Sequence, residues 1–150
     1  MSSRRQQIVE AVKTRFATIR TAHGYQTEVG ANVREWYLET LDEEELPALL
    51  ISDGIEDTIV PEQGKNSGTY TRHLEITAIV VLAVAAANAA NARAALADVI
   101  ACIGKDDKWG GLARRTLPVS DELGVDKESE RIGGVRVTFV VEYSRPPWEA

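Results

Sequence analysis

The chain has one cysteine, Cys102, and two histidines, His23 and His73, among 150 residues. A single thiol excludes an intrachain disulfide and fits a reducing cytoplasm, so the core has to hold the fold. Cys102, His23 and His73 show no C-x-x-C or H-E-x-x-H spacing, which argues against a metal centre. Long apolar runs are also lacking. The stretch from Ile76 to Ala90 falls short of the ~20 residues that span a bilayer, and it begins with strand alternation, so no membrane segment is expected. The opening Met-Ser-Ser-Arg-Arg-Gln-Gln leads into no apolar segment, so no signal peptide is expected either. Basic charge is not in excess. A net charge of −6 argues against a general nucleic-acid binder, which needs a basic face to displace counterions from phosphates. Arg4, Arg5, Lys13, Arg15 and Arg20 nevertheless cluster near the start.

Catalytic fingerprints are missing as well. There is no G-x-x-x-x-G-K-[ST], no G-x-G-x-x-G after a strand and no G-x-S-x-G. Gly64-Lys65-Asn66-Ser67-Gly68 has loop chemistry, but no helix follows it to supply an anion-binding terminus. His23 reads as a helix-end residue, His73 as a surface strand residue, and Cys102 as a buried structural thiol. No catalytic residue, cofactor or metal is expected, and the chain reads as not an enzyme.

What is present is an ordinary globular composition, 44% hydrophobic and 27% charged, in a length that suits one domain over residues 1–150. Ile8, Val12, Phe16 and Ile19 share one face of a helix over 4–20, with Gly24 as a stop. Residues 31–38 and 46–51 read as strands, with Ser52-Asp53-Gly54 as a turn. Residues 55–60 are β-prone, and 61–68 have loop composition. A long strand follows over 69–86, with Leu74, Ile76, Ala78, Val80 and Leu82 on one side. Asn88 or Asn91 caps a second helix ending near Ile103, which buries Ala92, Leu96, Val99, Ile100 and Ile103. Residues 105–111 form a polar loop, 112–119 a strand and 121–131 a charged surface loop. A last strand alternates Val135, Val137, Phe139, Val141 and Tyr143 against Arg136, Thr138, Val140 and Glu142. The order predicts an α+β fold, with a mixed, mainly antiparallel sheet and two helices on one face.

The long strand exceeds the usual five or six residues, so its first half is expected to project beyond the core as one arm of a β-hairpin. Residues 55–60 would be the other arm, and a symmetric tip would set Asp57 opposite Arg72. A projecting hairpin buries little within its own chain and is a candidate contact with a neighbour. Ile79 and Val81 lie on the strand's second face. Trp109, in a loop, and Trp148, in the tail, are of a type enriched at interfaces, and the equal alternative is that they fold back over the sheet edges of their own chain. The candidate interface is therefore Asp57, Arg72, Ile79, Val81, Trp109 and Trp148.

The pattern resembles the tail terminator, or tail completion, proteins of long-tailed bacteriophages, the lambda-like minor tail protein group. The resemblance rests on the opening helix ending near Gly24-Tyr25 and on Val33 leading to Leu46-Pro47-Ala48 and Asp53-Gly54-Ile55-Glu56. It continues in Arg72-His73-Leu74-Glu75-Ile76, the alanine-rich helix to Ile103, and the strand from Gly134 to Tyr143 followed by prolines. These are hydrophobic and turn patterns, spread over nearly the whole chain.

The resemblance implies a ring, usually hexameric, seated on the last ring of the tail tube. It would stop tube polymerisation and offer a surface for joining tail to head. The partners would be further copies of the chain, the tail tube protein and a head–tail joining protein. DNA would only pass through the pore, no membrane would be involved, and the ring would belong to the virion tail after assembly in the host cytoplasm. A head–tail connector or neck protein is the alternative in the same class. A small-molecule-binding or hydrolytic α+β domain is the alternative in another, and a deep pocket with convergent polar groups would mark it.

Overall fold

The computed structural model describes residues 2–36, 41–59, 69–83, 86, 88–124, 132–146 and 148. Two helices, α1 (Arg4–Phe16) and α2 (Ala89–Gly104), accompany five strands. The strands are β1 (Val33–Glu35), β2 (Ala48–Ile59), β3 (Tyr70–Leu82), β4 (Arg115–Leu123) and β5 (Ile132–Arg145). They form one sheet in the order β1-β2-β3-β5-β4. The β1–β2 pair is parallel and the other three pairs are antiparallel, so the sheet is mixed and mainly antiparallel, as the α+β pattern predicts.

Each helix starts on a side-chain cap. Ser3 Oγ accepts from Gln6 N at 3.0 Å, and Asn88 Oδ1 accepts from Asn91 N at 2.8 Å. Ile8, Val9, Val12 and Phe16 of α1 enter the same buried cluster as Ala92, Ala95, Val99 and Cys102 of α2. Leu74, Ile76, Ala78, Val80 and Leu82, the even positions of β3, join them, as do Val135, Val137, Phe139, Val141 and Tyr143 of β5. Strand alternation puts these residues on one side of the sheet.

Several boundaries differ from the sequence expectation. α1 ends at Phe16, yet Ile19 stays buried beyond it, because the following turn folds back onto the core. Gly24, at φ +91°, closes a short 3-10 turn (Thr21–His23) rather than α1 itself. The first strand shrinks to three residues. Ser52-Asp53-Gly54 is no turn: β2 runs through it, and the surplus residue is absorbed as a β-bulge between Asp53 and Glu56. β3 stops at Leu82, short of the predicted 86, and β4 runs on to Leu123, into what reads as a loop. In α2 the buried stripe is rotated from the expected one. Asp98 and Cys102 are buried, Leu96 and Ile103 are half-buried, and Ile100 is 49% exposed.

Asp98 explains much of that rotation. Its carboxylate accepts from Gln26 N at 3.1 Å, from Thr27 N at 2.8 Å and from Thr27 Oγ1 at 2.5 Å. A buried carboxylate needs such donors, and these tie the 26–27 loop to α2. The basic cluster near the start is likewise absorbed locally: Arg5 pairs with Asp53, Arg15 with Asp106 and Arg20 with Glu28.

Candidate assembly interface

The second face of the sheet is covered unevenly. Leu41 packs over Ala48 and Val81 at one end, with Leu46, Leu50 and Ile79 beside them. Farther along, Thr77 and Glu75 of β3 and Thr138 and Val140 of β5 are half-exposed. Of the candidate apolar pair, Val81 is therefore buried by its own chain, while Ile79 is half-exposed at the rim of that small cluster.

The register corrects the proposed cross-strand pair. Asp57 lies opposite His73, and Thr58 lies opposite Arg72. The bulge between Asp53 and Glu56 shifts the ladder by one residue, which a symmetric tip does not anticipate. The two candidate residues thus face opposite sides of the sheet. Residues 60–68, the expected hairpin tip with its Gly64–Gly68 motif, lie outside the described residues.

Arg72 belongs to a polar cluster on the helix side of the sheet. It donates to Thr58 Oγ1, Arg145 meets Glu56 at 2.9 Å, and Tyr143 donates its hydroxyl to Glu56. Burial, and then the bond to the Glu56 carboxylate, push the Tyr143 hydroxyl up to about 12. Arg72 is only 8% exposed, so it closes the core here instead of offering itself to a neighbour.

On the opposite face, four residues stand in a row across the whole width of the sheet beyond β1. Asp57 of β2 is opposite His73 of β3, His73 is opposite Glu142 of β5, and Glu142 is opposite Arg115 of β4. Glu142 Oε2 is 3.0 Å from His73 Nε2 and 3.1 Å from Arg115 Nε. Burial pushes the Glu142 carboxyl up, but the bonds from His73 and Arg115 together outweigh it, and the net shift is downward. The row alternates acid and base and ends on two strands whose outer sides pair there with no strand of the described residues. β4 is the last strand of the sheet, and β1 pairs with β2 only from Leu49 to Ile51. Sequence reasoning missed this row, because its members come from four separate segments that only the register aligns.

The tryptophans divide. Trp109 is 1% exposed and belongs to the core, so it is no interface residue. Its ring stacks on Phe139, meets Phe16 edge-on, and carries the Arg15 guanidinium 3.9 Å from its centroid. Trp148 is 97% exposed, in keeping with its place in the tail. Trp36 lies just past β1 at φ +49°, half-exposed, with its indole N–H donating to Asp53 Oδ1 at 2.7 Å.

A groove of about 430 Å³ runs between α2 and β4, lined by Ile100, Ile103, Val119, Val137 and Phe139, with Asp107 and Asp121 at its margin. Among the described residues there is no group of three or more His, Cys, Asp or Glu side chains placed to hold a metal ion. No helix of the described residues is long and apolar enough to cross a membrane. No protein-family model matches the chain, and no curated protein is similar to it in sequence.

Proposed function

We propose that this chain is a ring-forming assembly protein of a long-tailed phage, the terminator that caps the tail tube. The observation that carries the reading is the one-sided sheet. Both helices bury into the cluster on one face, while the other face stays half-exposed and, among the described residues, no strand covers the outer side of β4 or of β2 beyond Ile51. A surface of this kind suits head-to-tail contact with identical neighbours, and such contacts close into a ring when the rotation closes. In this reading, one face of the ring matches the end of the tube, and the other lacks what a further tube subunit would need. Tube growth stops, and the head-joining protein has a seat. Acidic side chains facing the pore would let DNA pass without sticking, in accord with the net charge of −6.

Electron microscopy of particles made without the protein tests the reading. The expected result is tubes of uncontrolled length that fail to join heads. Tubes of normal length that fail to join heads would make it a neck protein instead. Normal tails on filled heads would overturn both.

A further inference from the structure

The row Asp57, His73, Glu142 and Arg115 ends in opposite charges towards opposite edges of the sheet. We infer that it continues between copies: the first half of β4 of one subunit, from Arg115, lies along the free half of β2 in the next, with Arg115 paired to the neighbour's Asp57. The inference rests on the self-association in the proposed function and names the surfaces that carry it.

Three independent features of the strands agree with it. The first is direction. Three antiparallel steps separate β2 from β4, so the two run oppositely. A neighbour related by rotation about an axis that runs along the strands keeps their directions, which brings its β2 antiparallel to the incoming β4. The second is free edge. β1 ends at Glu35, opposite Ile51, so among the described residues no further strand pairs with the outer side of β2 beyond that point, where the Arg5 guanidinium reaches the Asp53 carbonyl, and none pairs with the outer side of β4. Unpaired backbone edges are templates for another strand. The third is exposed apolar surface. Of the seven large hydrophobic side chains that stand exposed among the described residues, Ile55 on β2 and Val119 on β4 fall in the stretch where the two strands would overlap with Arg115 opposite Asp57.

Charge fixes the partner as a second copy. Arg115 is 58% exposed at its side chain and spends its Nε on Glu142. Its terminal nitrogens are further donors that a carboxylate of a neighbour could take. Asp57 is exposed and level with Arg115 across the sheet. Joining two copies at that level extends the alternation of acid and base without a break, and like charges never meet.

The test is a charge exchange read by light scattering on a sizing column. Asp57→Arg sets Arg against Arg at the contact, and Arg115→Asp sets Asp against Asp. Each is expected to raise the concentration needed for assembly by about tenfold or more. An equal mixture of the two variants restores Asp against Arg at every contact and is expected to assemble. The double variant should do so as well. Circular dichroism of each variant checks that it is folded, and the mixture keeps the test sharp if one variant is less stable. Single variants that assemble like the wild type overturn the strand pairing and leave the ring reading standing. Single variants that fail with no rescue in the mixture or the double variant also overturn it. A wild type that stays monomeric up to its solubility limit overturns the pairing, while the ring reading falls only if tails lacking the protein keep normal length.

Discussion

The indole of Trp109 stacks on Phe139 with ring centroids 6.2 Å apart and 21° between their planes. Its N–H donates to Thr116 Oγ1 at 2.7 Å, so the buried polar edge of the ring is satisfied. A loop aromatic that the sequence offered equally as an interface residue or as a ring folded back on its own sheet is thus the largest fully buried side chain among the described residues. Trp109→Ala removes the ring that joins α1, β5 and the 105–111 loop. It is expected to cost about 3–5 kcal/mol in chemical unfolding. Trp148→Ala, at a 97% exposed site, is expected to stay within about 0.5 kcal/mol of the parent. Equal effects of the two substitutions would contradict this placement.

The second prediction concerns Gly30, which donates its N–H to the Ile19 carbonyl at 2.9 Å. A Cβ at this position would lie 2.3 Å from Phe16 O and 2.7 Å from Ile19 N. Both are backbone atoms, one at the end of α1 and one in the turn beyond it, so no flexible side chain can swing away. Gly30→Ala must push the 29–31 turn off the core, at a cost of about 1–3 kcal/mol or more. Gly54→Ala, with no atom within 4 Å of its Cβ, is expected to be much milder. A midpoint shift of the same size for both would refute the close-approach account.

These two sites show where the sequence was legible and where it was not. Clean period-two alternation placed Leu74 to Leu82 and Val135 to Tyr143 correctly, because one face of each strand meets a helix layer. The α+β class followed from the order of such segments. The groups that decide the surface followed a different logic. Ser52-Asp53-Gly54 carries turn chemistry, yet pairing with β3 on one side and the Arg5 ion pair with Asp53 keep the strand going. The bulge that results moves Asp57 from Arg72 to His73, a one-residue change that reverses faces. Trp109 lies among Lys, Asp and Gly, so local composition reads polar while a tertiary cavity takes the ring.

The third prediction is a pH dependence. Glu28 accepts from Thr21 Oγ1, from Arg20 Nε at 2.6 Å and from Thr21 N at 2.6 Å. Those bonds, the Thr21 hydroxyl foremost and then Arg20, hold its carboxyl down at about 2 against an ordinary 4.5. A carboxylate with a lowered folded pKa stabilises the fold above its unfolded value, and that share is lost as pH falls. The Thr21–Glu28 turn should therefore make Glu28→Gln less stable than the parent by a constant margin above pH 4.5. The margin should shrink between 4.5 and about 2 and vanish below. Thermal midpoints of the two proteins across that range measure it, and a margin independent of pH would exclude the role given to Glu28.

The fourth prediction separates the two partners of Glu142. The carboxylate is 9% exposed and accepts from both His73 and Arg115, whereas the Arg115 side chain is 58% exposed. Removing the exposed partner leaves the carboxylate one bond and access to water, so Arg115→Ala is expected to cost no more than about 1 kcal/mol. Glu142→Gln is different. His73 and Arg115 both donate to Oε2, so the Gln amide oxygen can keep both contacts, but a neutral acceptor then replaces a charged one in each bond. Hydrogen bonds to a charged group contribute about 1.5–3 kcal/mol each, so the loss at Glu142 is expected to reach about 2 kcal/mol. The lowered pKa of Glu142 also gives the sign with pH: its contribution is complete above the ordinary carboxylate value and fades as acid protonates it. Denaturant unfolding of both variants at neutral and acid pH reads the two effects together. A larger loss from Arg115→Ala than from Glu142→Gln would mean that the row across the sheet is held by the arginine, not by the acid it shares with His73.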